Sequence, residues 1–381
     1  MKKTLVIAGL AVLSTTAFAS KARLQALGQD GRASLFLDDT RSVFLNPAKL
    51  NTMSDYVTAE WGTGSRADDS EAAPHAEGGF FKKSNAFAYG VYVGNEYGTN
   101  NTVKDSDGDA ADTADFATTD NVTEFFLAGD MGMKWGARFS FSSNENKPST
   151  GIKKENSTMG LGLGVEHGAI EAYTNLVLKD ESKGATAAGD KFDAETGINA
   201  GLSYGMNSMK FYADYDKSGY KITDATGTTS DVASSELAVG VAKTHEIAAG
   251  STMFMDIRYN MTSWEDKKAT GTNDKEIDTT SLPLTIGFET QATSWLTLRA
   301  SVAQNIVIGD KETKKGNGDK TEETVANSTS VNAGATFTFG KLMIDGVVGN
   351  TSGSRTGNVG TKNGVLTTDN LMTRVAVSYW F

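Results

Sequence analysis

The chain of 381 residues contains no cysteine and only four prolines. Without cysteine, neither disulfides nor thiolate metal sites can stabilise it. Long apolar runs are also missing, because no stretch after Leu13 approaches the roughly 20 apolar residues that a membrane helix needs, which excludes a helical membrane protein. The 47 acidic residues outnumber the 36 lysines and arginines, and the resulting formal net charge of −11 argues against nucleic acid as a partner.

The first 19 residues are typical of a secretory signal peptide. Lys2 and Lys3 supply a basic start, an apolar run follows from Thr4 to Leu13, and Ala17-Phe18-Ala19 provides a cleavage site. Removal of this peptide would take the formal net charge from −11 to about −13. We therefore expect an exported, acidic protein.

Alternation of apolar and polar side chains is the main pattern in the rest of the sequence. From Leu371 to Phe381 every second residue is apolar or threonine, so one face of a strand suits hydrocarbon and the other suits water. Similar stretches recur, separated by short turns near 205–207 and by long polar loops near 180–192. The pattern predicts an all-β fold, a transmembrane antiparallel β-barrel of about 16 strands, with about 14 as the fallback.

The aromatic residue that ends the last alternating strand resembles the C-terminal signature of bacterial outer-membrane β-barrels. The resemblance implies a location in the bacterial outer membrane, contact with its lipid and lipopolysaccharide, and recognition of the last strand by the barrel-assembly machinery. Many barrels of this size are trimers, so it also suggests a homotrimer. A soluble β-sandwich would show the same alternation, but a closed barrel leaves no unpaired strand edge in hydrocarbon.

One segment near the N-terminus breaks the alternation, since Pro47 would interrupt a sheet ladder. Asp38-Asp39 followed by Phe44-Leu45-Asn46-Pro47-Ala48 resembles the N-terminal hatch of the FadL-type transporter superfamily, which implies that Asn46, Pro47 and Ala48 lie inside the barrel as a plug. The run from Ala22 through this element also resembles the major outer-membrane proteins of Bdellovibrio-like predatory bacteria. We accordingly divide the chain into a signal peptide (1–19), an N-terminal plug segment (20–54) and a barrel (55–381).

Ionisable residues alternate with the apolar ones and are expected to line a pore. A charge in a dry pocket costs several kcal/mol unless it is paired, whereas a water-filled lumen hydrates it. The set holds more acids than bases, which predicts a porin for small hydrophilic solutes with weak cation preference. Arg299 and Arg374 are expected to join an arginine cluster with Arg258 across adjoining strands. The predicted pore-lining residues are Glu124, Arg138, Glu171, Lys210, Asp214, Glu236, Asp256, Arg258, Glu289, Arg299, Asp345 and Arg374.

Several alternatives stay open at this point. The same charges are explained equally well by salt bridges that stiffen the wall without selecting solutes. A FadL-type transporter of hydrophobic compounds, gated by the hatch, is the main alternative function, and a structural or adhesive surface barrel is another. Because no Ser-His-Asp arrangement can be placed, we predict no enzyme. The aspartate-rich stretch 105–115 lacks the glycine and closing glutamate of an EF-hand, so we predict neither metal nor cofactor.

Overall fold

The structure is a computed structural model that describes residues 20–31, 33–62, 76–95, 116–117, 119, 121–268, 274–324, 328–354 and 374–381. The predicted signal peptide and the aspartate-rich stretch 105–115 lie outside the described residues. Within these ranges, no helix combines the length and apolar character that crossing a membrane would require.

The described strands form one closed antiparallel barrel of 16 strands, which confirms the predicted fold class and strand number. The strand segments are β1 (Tyr56–Gly62), β2 (Ala76–Ser84), β3 (Phe87–Val93), β4 (Thr123–Asp130), β5 (Lys134–Asn146), β6 (Lys154–His167), β7 (Ile170–Lys183), β8 (Lys191–Ala194), β9 (Gly197–Met206), β10 (Met209–Thr223), β11 (Thr229–Ala248), β12 (Ser251–Lys267), β13 (Lys275–Thr293), β14 (Leu296–Lys315), β15 (Lys320–Thr324), β16 (Ser328–Phe339), β17 (Leu342–Ser354) and β18 (Arg374–Trp380).

Two barrel strands are interrupted, which is why the segments outnumber the strands. Both β8 and β9 pair with β7 and β10, and both β15 and β16 pair with β14. The barrel closes where β1 pairs with β18, with Tyr56 opposite Trp380. Closure satisfies the backbone groups of both terminal strands, as hydrocarbon requires.

The two faces of the wall differ as the alternation predicts. In β3, Phe87 and Val93 are each 50% exposed on the outer face, whereas Ala88 and Tyr92 on the inner face are 1% and 0% exposed. Aromatic and branched residues favour strands because they fit a pleated surface. The outer face therefore presents an apolar band, and the inner face packs inside the barrel.

The short connections lie at one end of the barrel, which we call the short-turn end, and the longer ones at the opposite, long-loop end. The turn predicted near 205–207 is formed by Asn207 and Ser208, whose φ angles are 50° and 63°. Two positive φ angles match the twist of the flanking strands. The end of the chain also lies here, since the amide of Phe381 donates to the carbonyl of Asp55 at 3.1 Å.

Residues 20–54, the N-terminal segment, pack against the inner face of the wall. They contain α1 (Lys21–Ala26), α2 (Ser42–Leu45) and a 3-10 helix (Pro47–Asn51). Ser20 caps α1 by accepting from the Arg23 amide at 3.1 Å, and Asn46 caps the 3-10 helix by accepting from the Ala48 amide at 3.1 Å. Pro47 fits the first helical position because it has no amide hydrogen to satisfy.

Aromatic contacts join the N-terminal segment to the wall on two sides. The Phe44 ring lies 4.8 Å from Tyr92 and 5.4 Å from Phe126, between centroids. Phe36 lies 5.4 Å from Phe254 on the other side. Edge-to-face and tilted pairs of this kind add to the burial of apolar area, so the segment is packed rather than suspended in the lumen.

Candidate functional site: the barrel lumen

Two groups of predicted pore residues form buried ion pairs. Arg138 Nη1 donates to Glu124 Oε1 at 3.3 Å, and the two residues are 4% and 0% exposed. On the other side, Arg299 donates to Glu289 Oε2 at 2.9 Å and to Asp345 Oδ1 at 3.2 Å. These side chains therefore pair with one another along the wall.

The N-terminal segment adds its own charges and polar groups to both pairs. Arg23 of α1 donates to Glu289 Oε2 at 2.9 Å, so this carboxylate lies between two guanidinium groups. The Asn175 amide donates to the Leu45 carbonyl at 2.9 Å and its oxygen accepts from Arg138 at 3.0 Å. The wall pairs thus also fix the position of the segment.

The predicted arginine cluster is wrong. Arg258, Arg299 and Arg374 lie on β12, β14 and β18, which are not neighbouring strands. Arg299 lies between two carboxylates instead. Arg374 contacts the N-terminal segment at Gly31, where an added Cβ would lie only 2.6 Å from Arg374 Nη1. Carboxylates offset the cost of burying a guanidinium, whereas a second arginine would add repulsion.

Sequence reasoning missed a third buried network, centred on Arg41. This side chain is 2% exposed, and its Nη1 lies 3.7 Å from Glu60 and 3.5 Å from Glu77. Its Cζ lies over the Phe44 ring, 3.9 Å from the ring centroid. Lys21 approaches Glu77 at 2.6 Å. The only available signal was inward-facing glutamate on β1 and β2, and nothing in the pattern pointed to a partner in the segment.

Glycines on the inner face allow the segment to approach the wall closely. A Cβ added to Gly164 of β6 would overlap Asn46 Oδ1, and one added to Gly136 of β5 would overlap the backbone of Pro47 and Ala48. The residues predicted as a plug are buried there, with Asn46 2% and Ala48 0% exposed. Only glycine tolerates a neighbour at this distance.

Among the cavities that the described residues line, two lie beside the segment. The larger, about 510 Å³, extends toward the long-loop end, and its lining includes Asp214, Glu236 and Arg258. The other, about 400 Å³, opens at the short-turn end. Within the described ranges, no group of three or more histidine, aspartate and glutamate side chains is arranged to hold a metal ion.

A narrow space of about 20 Å³, the constriction, lies between the two cavities. It shares Leu35 and Leu45 with the larger cavity, and Asp38, Glu171 and Lys210 with the other. One water molecule needs roughly 10–15 Å³ by a comparable measure. The constriction therefore has room for about one water molecule.

Ion pairs between the segment and β6, β7 and β10 line the constriction. Lys49 Nζ lies 2.7 Å from both Glu166 Oε1 and Glu171 Oε1, and 3.1 Å from Asp38 Oδ1. Lys210 Nζ lies 3.2 Å from Glu171 Oε2. Burial acts to lower the pKa of Lys49, but the three carboxylates outweigh it and hold that pKa above its ordinary value.

Replacing Lys49 by methionine should make the lumen more cation-selective. The change removes a positive charge that three carboxylates share and keeps a side chain of similar length. We expect the reversal potential in a salt gradient to shift toward cations, and the conductance to rise as the carboxylates repel one another. Lys243→Met, an exposed position on β11, is the matched control. An unchanged reversal potential would show that the constriction does not limit flux.

Asp214 and Asp256 differ from the paired residues in their hydrogen-bond donors. Asp214 accepts from the Tyr173 hydroxyl at 2.6 Å and from the Asn199 amide at 3.1 Å. Asp256 accepts from the Tyr212 hydroxyl at 2.6 Å. These hydroxyl and amide donors orient the two carboxylates.

No family model matches the chain, and no curated protein matches it. Similar solved structures include a bacterial polysaccharide outer membrane secretin, at 7% identity over 86% of this chain and 97% of that chain, with a TM-score of 0.42. The CymD monoaromatic hydrocarbon channel has 12% identity over 94% and 96%, with a TM-score of 0.39. OmpT, an outer membrane protein of Vibrio cholerae, has 11% identity over 86% and 97%, with a TM-score of 0.37. At such identities the similarity concerns the barrel architecture alone and says nothing of the solute.

Proposed function

We propose that this protein is a porin-like channel of the bacterial outer membrane that lets small hydrophilic solutes diffuse through its lumen, with weak cation preference. The observation that carries the proposal is the larger cavity of about 510 Å³, which is lined by charged groups of both signs, among them Lys21, Asp30, Asp214 and Arg258. Such a lining is stable only when water or polar solute fills the space.

The cation preference is supported by the wall that β10 and β11 form. Asp216 lies directly opposite Glu236 in the register, and Asp214 lies two residues further toward the short-turn end. All three residues line the larger cavity. Like charges placed directly opposite repel each other, and a passing cation relieves that repulsion. The wall should therefore concentrate cations by the same charge logic as other pores.

The N-terminal segment supplies the sieve in this proposal. Its Lys49 and Asp38 meet Glu171 and Lys210 of the wall in the constriction. Solutes larger than water would pass only when these contacts open. The channel is then expected to fluctuate between conductance levels as the segment shifts.

Planar-bilayer recording of the full-length protein tests the proposal. We expect ion flux that steps between conductance levels, size-dependent exclusion of graded sugars, and a reversal potential that indicates weak cation preference. Asp214→Asn combined with Glu236→Gln should move that potential toward zero, whereas Glu246→Gln, at an exposed position of β11 near the short-turn end, should leave it unchanged. Strong anion preference would contradict the selectivity, and a silent bilayer would contradict the channel.

The FadL-type alternative needs an apolar cavity beside the N-terminal segment. The apolar side chains of the segment are instead packed against the wall, with Phe36 and Phe44 each 7% exposed and Leu27 1% exposed. A silent bilayer together with fatty-acid binding would nevertheless favour that alternative. Silence without binding would favour a structural or adhesive role.

A further inference from the structure

Three neighbouring strands, β10, β11 and β12, form one wall of the larger cavity. Their register places Asp214, Ala238 and Asn260 in one row across the wall. Glu236 lies two residues toward the long-loop end on β11, and Arg258 lies two residues toward the short-turn end on β12. Two residues along a strand return to the same face, so all five residues face inward.

The middle of this row is a small residue between two polar ones. Ala238 is 4% exposed and lines the cavity. Neighbouring strands are about 4.8 Å apart, so the backbones of Asp214 and Asn260 are separated by about 10 Å, with only a methyl group between them. The result is a shelf with carboxylates on one side and a guanidinium on the other.

Polar atoms of β12 in this region are buried without partners. Among the described residues, none forms a hydrogen bond with Arg258 Nε, Asn260 Oδ1 or Trp264 Nε1. Trp264 is 7% exposed, and it lines the larger cavity together with Arg258. Buried donors and acceptors are nearly always satisfied in native proteins, so three such atoms on one face of one strand indicate that a polar occupant completes the site.

We infer that this wall binds a small zwitterion, a molecule with one ammonium and one carboxylate group such as an amino acid or short peptide. Arg258 receives the carboxylate, Asp214 and Glu236 receive the ammonium, and Asn260, in the row between Arg258 and Glu236, bonds to an amide group of the ligand. The cavity of about 510 Å³ is large enough for two or three residues of peptide. The inference rests on the proposed function, because it names the solute class of the same lumen.

Calorimetric titration of the full-length protein in detergent tests the site with four probes. Triglycine carries both charges, N-acetyltriglycine only the carboxylate, triglycine amide only the ammonium, and maltose neither. We expect triglycine to bind at least about tenfold more tightly than either singly charged analogue, since each lost charged hydrogen bond costs about that factor. Maltose should not bind measurably.

Two variants separate the ends of the ligand. Arg258→Gln should weaken the binding of triglycine about tenfold and leave the binding of triglycine amide unchanged. Glu236→Gln should weaken the binding of both of these probes and leave the binding of N-acetyltriglycine unchanged. Lys243→Gln and Glu246→Gln remove matched charges at exposed positions of β11 outside the cavity lining and should change nothing.

Equal affinity for the three glycine probes, binding of maltose instead, or an unaffected Arg258→Gln variant would each overturn the inference. Bilayer recordings on the same preparation distinguish this failure from failure of the proposed function. Ion flux without triglycine binding overturns the site alone. Triglycine binding to a protein that is silent in the bilayer overturns the channel and leaves the site in place.

Discussion

Replacing Gly164 by valine is expected to raise the single-channel conductance several-fold. A Cβ at this position would overlap Asn46 Oδ1 and lie 3.1 Å from Pro47 Cδ, so valine leaves no room for the element from Asn46 to Ala48. Overpacking of this kind costs about 1–3 kcal/mol. The segment should move away to relieve the overlap, because the wall is held in place by hydrogen bonds between strands. Because Leu45, Asn46 and Lys49 line the constriction, their displacement should widen it.

Gly346→Val is the matched control, because an added Cβ at Gly346 of β17 meets no described atom within 4 Å. Its conductance should equal that of the unmodified protein. Gly136→Val should behave like Gly164→Val, since the added atoms would overlap the backbone of Pro47 and Ala48. A Gly164→Val protein that folds with an unchanged far-ultraviolet spectrum and an unchanged conductance would show that the segment does not limit flux.

The barrel was predictable from the sequence because strand side chains alternate with a period of two. Phe87 and Val93 identify the outer face of β3 without any knowledge of its neighbours. Alternation is weaker from 57 to 63 and from 77 to 83, yet β1 and β2 lie there, and they pair with β18 and with β3 to close the barrel. Turn positions were correct to within a residue or two, as for Asn207 and Ser208.

Contacts across the lumen were not predictable in the same way. Alternation shows that a residue faces inward but not which residue it meets. Lys49 and Glu171 are 122 positions apart in the chain, and their contact depends on the path of the N-terminal segment. Arg299 meets Asp345 two strands away in the sheet, whereas Arg374 reaches Gly31. Charge type alone therefore suggested a cluster that the geometry does not form.

Replacing Arg41 by methionine is expected to detach the N-terminal segment from β1, β2 and β3. The guanidinium of Arg41 lies near Glu60 and Glu77, which are 3% and 8% exposed, and it donates to the Tyr92 hydroxyl at 3.1 Å. Methionine would remove the guanidinium that these two carboxylates share and leave Lys21 near Glu77, and loss of one member of a buried ion pair typically costs about 3–5 kcal/mol. Hydrogen exchange of the α2 amides should accelerate by about two to three orders of magnitude.

Lys320→Met provides the comparison with an exposed pair. Lys320 lies 3.0 Å from Glu312 and 2.9 Å from Glu322, and its side chain is 50% exposed. Exposed ion pairs contribute little to stability, so exchange in the segment should not change. Adding Glu60→Gln and Glu77→Gln to Arg41→Met should restore part of the protection, because neutral amides no longer need a buried cation. If the segment of Arg41→Met exchanged as slowly as that of the unmodified protein, Arg41 would not anchor the segment. Protection restored in the triple variant would show that the single variant lost charge balance, whereas loss of packing against Phe44 would remain in both.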